Sequence, residues 1–351
     1  MNTDWRLFRG DVEPHPVTDW PAPPPWRTFN GGESPEASKE EAAAEGAAEE
    51  KRPRRRYVIS EPDRDIVNTA LHLHRPLLVT GRPGTGKSTL ARAIARELCL
   101  GDVLHWPVNS RSTLVEGLYR YDAVGRLRDA SLSERPGPQA PLDTAGAAEP
   151  GASGTTRSEE PGIGDYLRLG PLGTALLPRG VPRVLLIDEL DKGDVDLPND
   201  LLTVFEEGTY DIPELARLRS TTAEVRFTGP DDERVTVRGG RVTCRVFPVV
   251  VITSNGERDF PPAFLRRCVR LDLKQPNAEQ LRSIVGMHLG TDAAQQAERL
   301  IEEFLRLRDT QAHDLATDQL LNAVHLRVSG AAMDFDKLRE TVFRSLGDTD
   351  I

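Results

Sequence analysis

The chain has 351 residues, is 38% hydrophobic and 28% charged, and carries a net charge of −10. Its mean hydropathy is −0.44. That length holds one large domain or two smaller ones with a proper core, and no apolar run approaches the roughly 18–20 residues that span a bilayer. The polar, tryptophan-bearing start at Met1–Gly10 does not read as a secretory signal. Cys99, Cys244 and Cys268 lack metal-ligand spacing and suit a reducing compartment. A cytoplasmic chain with no membrane partner is expected. The acidic total argues against a dedicated nucleic-acid binder, which needs a clustered positive surface.

At the N-terminus, Trp5, Phe8, Trp20, Trp26 and Phe29 place three of the four tryptophans within thirty residues. Polar linkers rarely carry so much aromatic area, so this arm is expected to dock on the main domain in preference to capturing a partner. Gly31–Glu50 offers almost nothing to bury and runs into the basic cluster Lys51, Arg52, Arg54, Arg55 and Arg56. Residues 1–56 therefore read as an arm followed by a disordered charged linker.

From residue 57 the pattern becomes regular. Ser60-Glu-Pro-Asp63 reads as a capping box opening a helix to about His74. Leu77–Thr80 is a short buried-strand run, followed by a helix from Lys87 to about Leu100. Val103–Val108, Val184–Asp188, Phe247–Thr253 and Val269–Leu273 are further apolar strands. Strands alternating with helices argue for a parallel sheet covered on both faces. Ser133–Gly164 is rich in Pro, Gly, Ala and Glu and reads as a flexible insert. Residues 233–246 alternate like a hairpin with Gly239-Gly240 at the tip, within an insert spanning about 220–246. The core thus spans 57–275. From 276 to 351 only helices are predicted: one capped by Asn277, one from Thr291 to about Leu307, one from Thr317, and one from Asp334.

Gly81, Arg82, Pro83, Gly84, Thr85, Gly86, Lys87 and Ser88 match G-x-x-x-x-G-K-[ST] in full, between a strand and a helix. Glycines let backbone N–H groups fold around phosphate, and the helix N-terminus adds positive potential. Lys87 is placed to reach the β- and γ-phosphates, Ser88 to offer its hydroxyl to Mg²⁺, and Thr89 completes the ATP-binding set. The loop alone is compatible with ATP or GTP. Val184–Asp188 followed by Glu189 delivers two carboxylates at a strand end, where ligands bind in open α/β sheets. Asp188 is the second magnesium residue, and Glu189 the group that orients and activates water. Asn255 ends the next strand, where its amide can meet the γ-phosphate and the water. Arg266 and Arg267 precede the last strand, and arginine stabilises a phosphoryl transition state, in some systems in trans.

In this order, the four features resemble the AAA+ ATPases. Leu185–Lys192, Asp196–Leu202, Phe205–Gly208 and Leu169-Gly-Pro-Leu-Gly173 look most like the MoxR branch. The resemblance, over roughly Tyr57–Asp350, implies a five-stranded parallel sheet, a helical lid and a homo-oligomeric ring, often hexameric, with ATP between neighbours. It also implies Asn255 as first sensor, Arg267 in preference to Arg266 as the trans finger, and protein clients with von Willebrand factor A domains. The family's inserts correspond to Leu114–Leu169 and Thr209–Val246. The family's second sensor is an arginine at the start of a lid helix. Here the nearest counterpart is Arg327, with no arginine just after the glycine that follows it. Three functional classes follow: an ATP-hydrolysing remodeller, a nucleotide-controlled assembly switch, and a nucleic-acid-associated NTPase.

Overall fold

The computed structural model describes residues 5–10, 13–29, 57–133, 162–229, 233–310 and 315–329. Eleven strands are found among them: β1 (Leu77–Thr80), β2 (Leu104–Pro107), β3 (Tyr119–Tyr121), β4 (Leu167–Leu169), β5 (Val184–Asp188), β6 (Thr209–Asp211), β7 (Thr222–Arg226), β8 (Arg234–Arg238), β9 (Arg241–Thr243), β10 (Val249–Ser254) and β11 (Val269–Asp272).

The five apolar runs form one sheet in the order β11-β1-β10-β5-β2. Every neighbouring pair is parallel. Alternate residues supply two cores, as a sheet covered on both faces requires. Leu77, Val79, Leu186 and Val251 face one way, onto Val67 and Leu71 of the helix Glu61–Leu73 and Leu90 and Ile94 of the helix Lys87–Glu97. Leu78, Leu185, Ile187 and Ile252 face the other, with Leu197, Leu201 and Phe205 of the helix Leu197–Glu207. Fully burying one such aliphatic side chain contributes roughly 1.5–3 kcal/mol. This is the α/β architecture of a parallel sheet covered by helices on both faces.

Local details depart from the sequence reading. The helix after the glycine loop ends at Glu97, not near Leu100, because Cys99 (φ 53°) and Gly101 (φ 76°) turn the chain in left-handed conformations. Ser60 accepts from the Asp63 N–H at 3.3 Å but donates its hydroxyl to Asp63 Oδ2 at 2.6 Å. The carboxylate is therefore engaged by the serine hydroxyl in place of the reciprocal backbone bond of a capping box.

Both inserts end in one further sheet that the sequence reading lacks, ordered β3-β4-β7-β8-β9-β6. The first insert gives β3 and β4, the second β6 to β9, and the parallel pairing of Arg168 with Arg226 joins them. The hairpin β8–β9 turns at Gly239 (φ 58°) and Gly240 (φ 69°), the two consecutive positive φ values that a tight hairpin turn requires. Inward side chains Leu167, Leu169, Val225, Val237 and Val242 join the core beneath the central sheet. Within the first insert, Ala123–Ser133 is helical and Ile163–Tyr166 forms a 3₁₀ turn.

The C-terminal helices Ala278–Leu289, Thr291–Gln296, Glu298–Thr310 and Thr317–Val328 build a separate core around Leu281, Val285, Leu300, Phe304, Leu320 and Val324. The second of the predicted helices is divided at Ala297, which nothing in the sequence marks. The arm lies on the central domain: Phe8 is fully buried, Asn68 accepts from the N–H groups of Leu7 and Phe8, and Glu97 accepts from those of Arg9 and Gly10. Phe29 stacks on Phe247 at 5.2 Å, with the Arg27 guanidinium over both rings. The charged linker, most of the Ser133–Gly164 insert and the helix expected at Asp334 lie outside the described residues. Among the described residues no helix is long and apolar enough to cross a membrane.

Candidate active site

The carboxyl ends of β1, β5 and β10 open into one cleft of about 1240 Å³, lined by Gly84–Thr89, Asp188, Glu189, Thr253 and Asn255. Its size exceeds the usual range of small-ligand pockets, about 300–1,000 Å³. Gly86 is the N-cap of the helix that follows and supplies no side-chain bond, so the first N–H groups of that helix remain open to an anion. Lys87 Nζ donates to the carbonyls of Gly81 at 2.7 Å and Arg82 at 3.0 Å, which hold the ammonium over the loop. Burial lowers the Lys87 pKa below the ordinary lysine value, against the pull of Asp191, Glu189 and Asp188.

The two halves of the site meet directly. Ser88 and Thr253 each donate a hydroxyl to Asp188 Oδ1 at 2.7 Å, and His105 Nε2 lies 3.1 Å from Asp188 Oδ2. Burial raises the Asp188 pKa, but these hydrogen bonds outweigh it and hold the carboxyl below its ordinary value. Ser88 and Asp188 form an all-oxygen pair, which fits Mg²⁺: this ion takes few protein ligands and completes its shell with water and phosphate oxygens. Among the described residues there is no group of three or more His, Cys, Asp or Glu placed to hold a metal.

Glu189 follows β5 with φ 58°, a left-handed conformation uncommon for a non-glycine residue. Its N–H donates to Thr253 Oγ1 at 2.8 Å. Asn255 Nδ2 donates to Glu189 Oε1 at 3.2 Å, and Lys192 Nζ to Oε2 at 2.8 Å. Asp191 is buried behind them and accepts from the N–H groups of Asn255 and Glu257, fixing the end of β10. Thr253, His105, Asp191 and Lys192 were not singled out from the sequence. For Asp191 and Lys192 a signal existed in their adjacency to Asp188-Glu189. Thr253 and His105 join only through the strand order, which sets β10 and β2 on either side of β5.

Two other elements close the cleft. Tyr57, Val58 and Ile59 line it with apolar surface, as do Ile284, Met287 and Leu321 of the C-terminal helices. The Tyr57 hydroxyl donates to Gly86 O at 3.2 Å. Gly84 (φ 74°) abuts the start of the helix Thr317–Val328: a Cβ there would lie 2.5 Å from Ala316 Cβ and 2.8 Å from Thr317 N. The C-terminal domain is thereby seated on the phosphate loop.

The structure does not bring Arg266, Arg267 or Arg327 to this cleft. Arg267 pairs with Glu206 and donates to Ala263 O at 3.1 Å, while Arg266 is exposed. Arg327 is exposed near the far end of the helix whose first residues meet Gly84.

A glycine loop between strand and helix, facing a strand that ends in paired carboxylates, defines a P-loop nucleotide site. Residues 77–130, which include the loop and its helix, match the family model described as "ATPase family associated with various cellular activities (AAA)". No curated protein matches the chain.

Proposed function

We propose that the chain is a MoxR-like AAA+ ATPase that binds ATP with Mg²⁺ in the cleft, hydrolyses it, and works as a ring that remodels a protein partner. The observation that carries this reading is the placement of Glu189. It lines the same cleft as the Ser88–Asp188 pair, and its carboxylate is gripped by Asn255 on one oxygen and Lys192 on the other. In the proposed mechanism the loop N–H groups and Lys87 hold the phosphates, and the walls of Tyr57–Ile59 and Met287 enclose the nucleoside. Glu189 takes a proton from water positioned with the help of Asn255. Mg²⁺, when bound, neutralises charge on the β- and γ-phosphates.

Arg266 and Arg267 stand outside this cleft, which supports their acting on a neighbour's nucleotide and hence a ring. The MoxR branch and a client carrying a von Willebrand factor A domain rest on the motif resemblance. The placement of Arg327 favours a second reading, in which ATP drives assembly and turnover is incidental. Phosphate release by the purified chain decides between them. The remodeller requires Mg²⁺-dependent turnover whose rate per subunit rises with protein concentration. Assembly that responds to ATP with negligible turnover at every concentration supports the switch.

A further inference from the structure

The six-stranded sheet has two unlike faces. Side chains paired across strands share a face, so the register fixes which residues point outward. Arg120 pairs with Arg168, Arg168 with Arg226, and Arg226 with Arg234. Four arginines thus stand in a row across β3, β4, β7 and β8, spanning about 14 Å at the usual strand spacing of ~4.8 Å. Arg238 and Arg241 extend the same face on β8 and β9. Like charges directly opposite each other are destabilising in a sheet, so folding alone gives no reason for such a row.

Three acids beside or on this face are already engaged. Asp165 takes Arg234 at 2.6 Å, Asp211 takes Arg241 at 2.6 Å, and Glu224 accepts from Thr236. Among the described residues the side chains of Arg120, Arg168 and Arg238 are exposed and have no hydrogen-bond or ion-pair partner. The outward strand positions carry no aromatic side chain, since Tyr119, Tyr121 and Tyr210 all fall on the inward register. That leaves no platform for stacking bases, as single-strand nucleic-acid surfaces use. The carboxylates already bound on this face show what it recognises.

We infer that the outward face of this sheet is a docking surface for an acidic, carboxylate-rich segment of a partner protein. Guanidinium groups pair with carboxylates through forked, charge-assisted hydrogen bonds, and the exposed Arg120 and Arg168 offer two in register, with Arg238 further along the same face. This assignment stands independently of the reading of the nucleotide cleft.

The test is fluorescence anisotropy of a fluorescein-labelled deca-glutamate peptide with the full chain at low salt. Binding is expected to be saturable, to weaken about tenfold or more in the triple variant Arg120→Gln, Arg168→Gln, Arg238→Gln, and to weaken as salt is raised. The corresponding triple lysine variant should retain most of the affinity, and unchanged ATP affinity in both variants reports an intact fold. Equal peptide affinity in the glutamine variant overturns the inference, as does no binding to the wild-type chain. A DNA duplex that binds more tightly than the peptide, and is lost in the same variant, reassigns the face to nucleic acid. Peptide binding that appears only after the seven glutamates of Gly31–Glu50 are changed to glutamine reassigns it to the chain's own acidic stretch.

Discussion

The two sheets of this molecule are built on opposite principles. The central sheet is parallel, its inner strands β1, β10 and β5 are buried on both faces, and its strands are four to six residues long. The second sheet is mostly antiparallel, buried on one face, and four of its six strands, β3, β4, β6 and β9, are only three residues long. In the first, every polar group of note gathers at one end, where Asp188, Thr253 and Asn255 meet the glycine loop. In the second, charge is spread across a whole face. The difference separates chemistry at strand ends from recognition across a surface.

The largest expected effect tests the first region alone. Lys87→Ala removes the ammonium held over the loop carbonyls, and calorimetric titration should show ATP affinity falling by about two orders of magnitude or more. Next, Asn255→Ala frees one oxygen of Glu189, and turnover should drop by ~10²-fold while ATP affinity changes little. If affinity falls as far as turnover, Asn255 holds nucleotide and does not position Glu189.

A third variant separates the regions. Leu169 in β4 is fully buried, and Leu169→Ala should cost about 3 kcal/mol in denaturant unfolding, with ATP affinity unchanged in the folded protein. Weakened ATP binding by native Leu169→Ala would show that the second sheet shapes the cleft. The smallest effect concerns thiols. Burial pushes Cys244 and Cys268 up to about 12, whereas Cys99 is half-exposed and lines the cleft. A thiol reagent at pH 8 should therefore modify Cys99 in the native chain and the other two only after unfolding. Reaction at Cys244 would mean that the packing of Phe29 and the second sheet over it opens readily.

The same contrast explains what could be read beforehand. Leu77–Thr80 and Val184–Asp188 are continuous apolar runs, and their burial on both faces is written in composition. Gly81–Ser88 and Asp188-Glu189 carry their chemistry in adjacent residues. The second sheet has no such local signature, because three-residue strands such as Leu167–Leu169 fall below any useful periodicity window. Its join, Arg168 to Arg226, pairs residues from different inserts, so only tertiary packing selects it. Thr253 and His105 are invisible for the same reason. They reach Asp188 because β10 and β2 flank β5, an order the sequence does not display. The split at Ala297 has no such account.

The central claim is that Glu189 performs chemistry on a nucleotide held by other residues. It is tested most directly by measuring ATP affinity and steady-state hydrolysis side by side on Glu189→Gln. The account predicts affinity within about threefold of wild type and turnover lowered by ~10²-fold or more. Undiminished hydrolysis in that variant would contradict it.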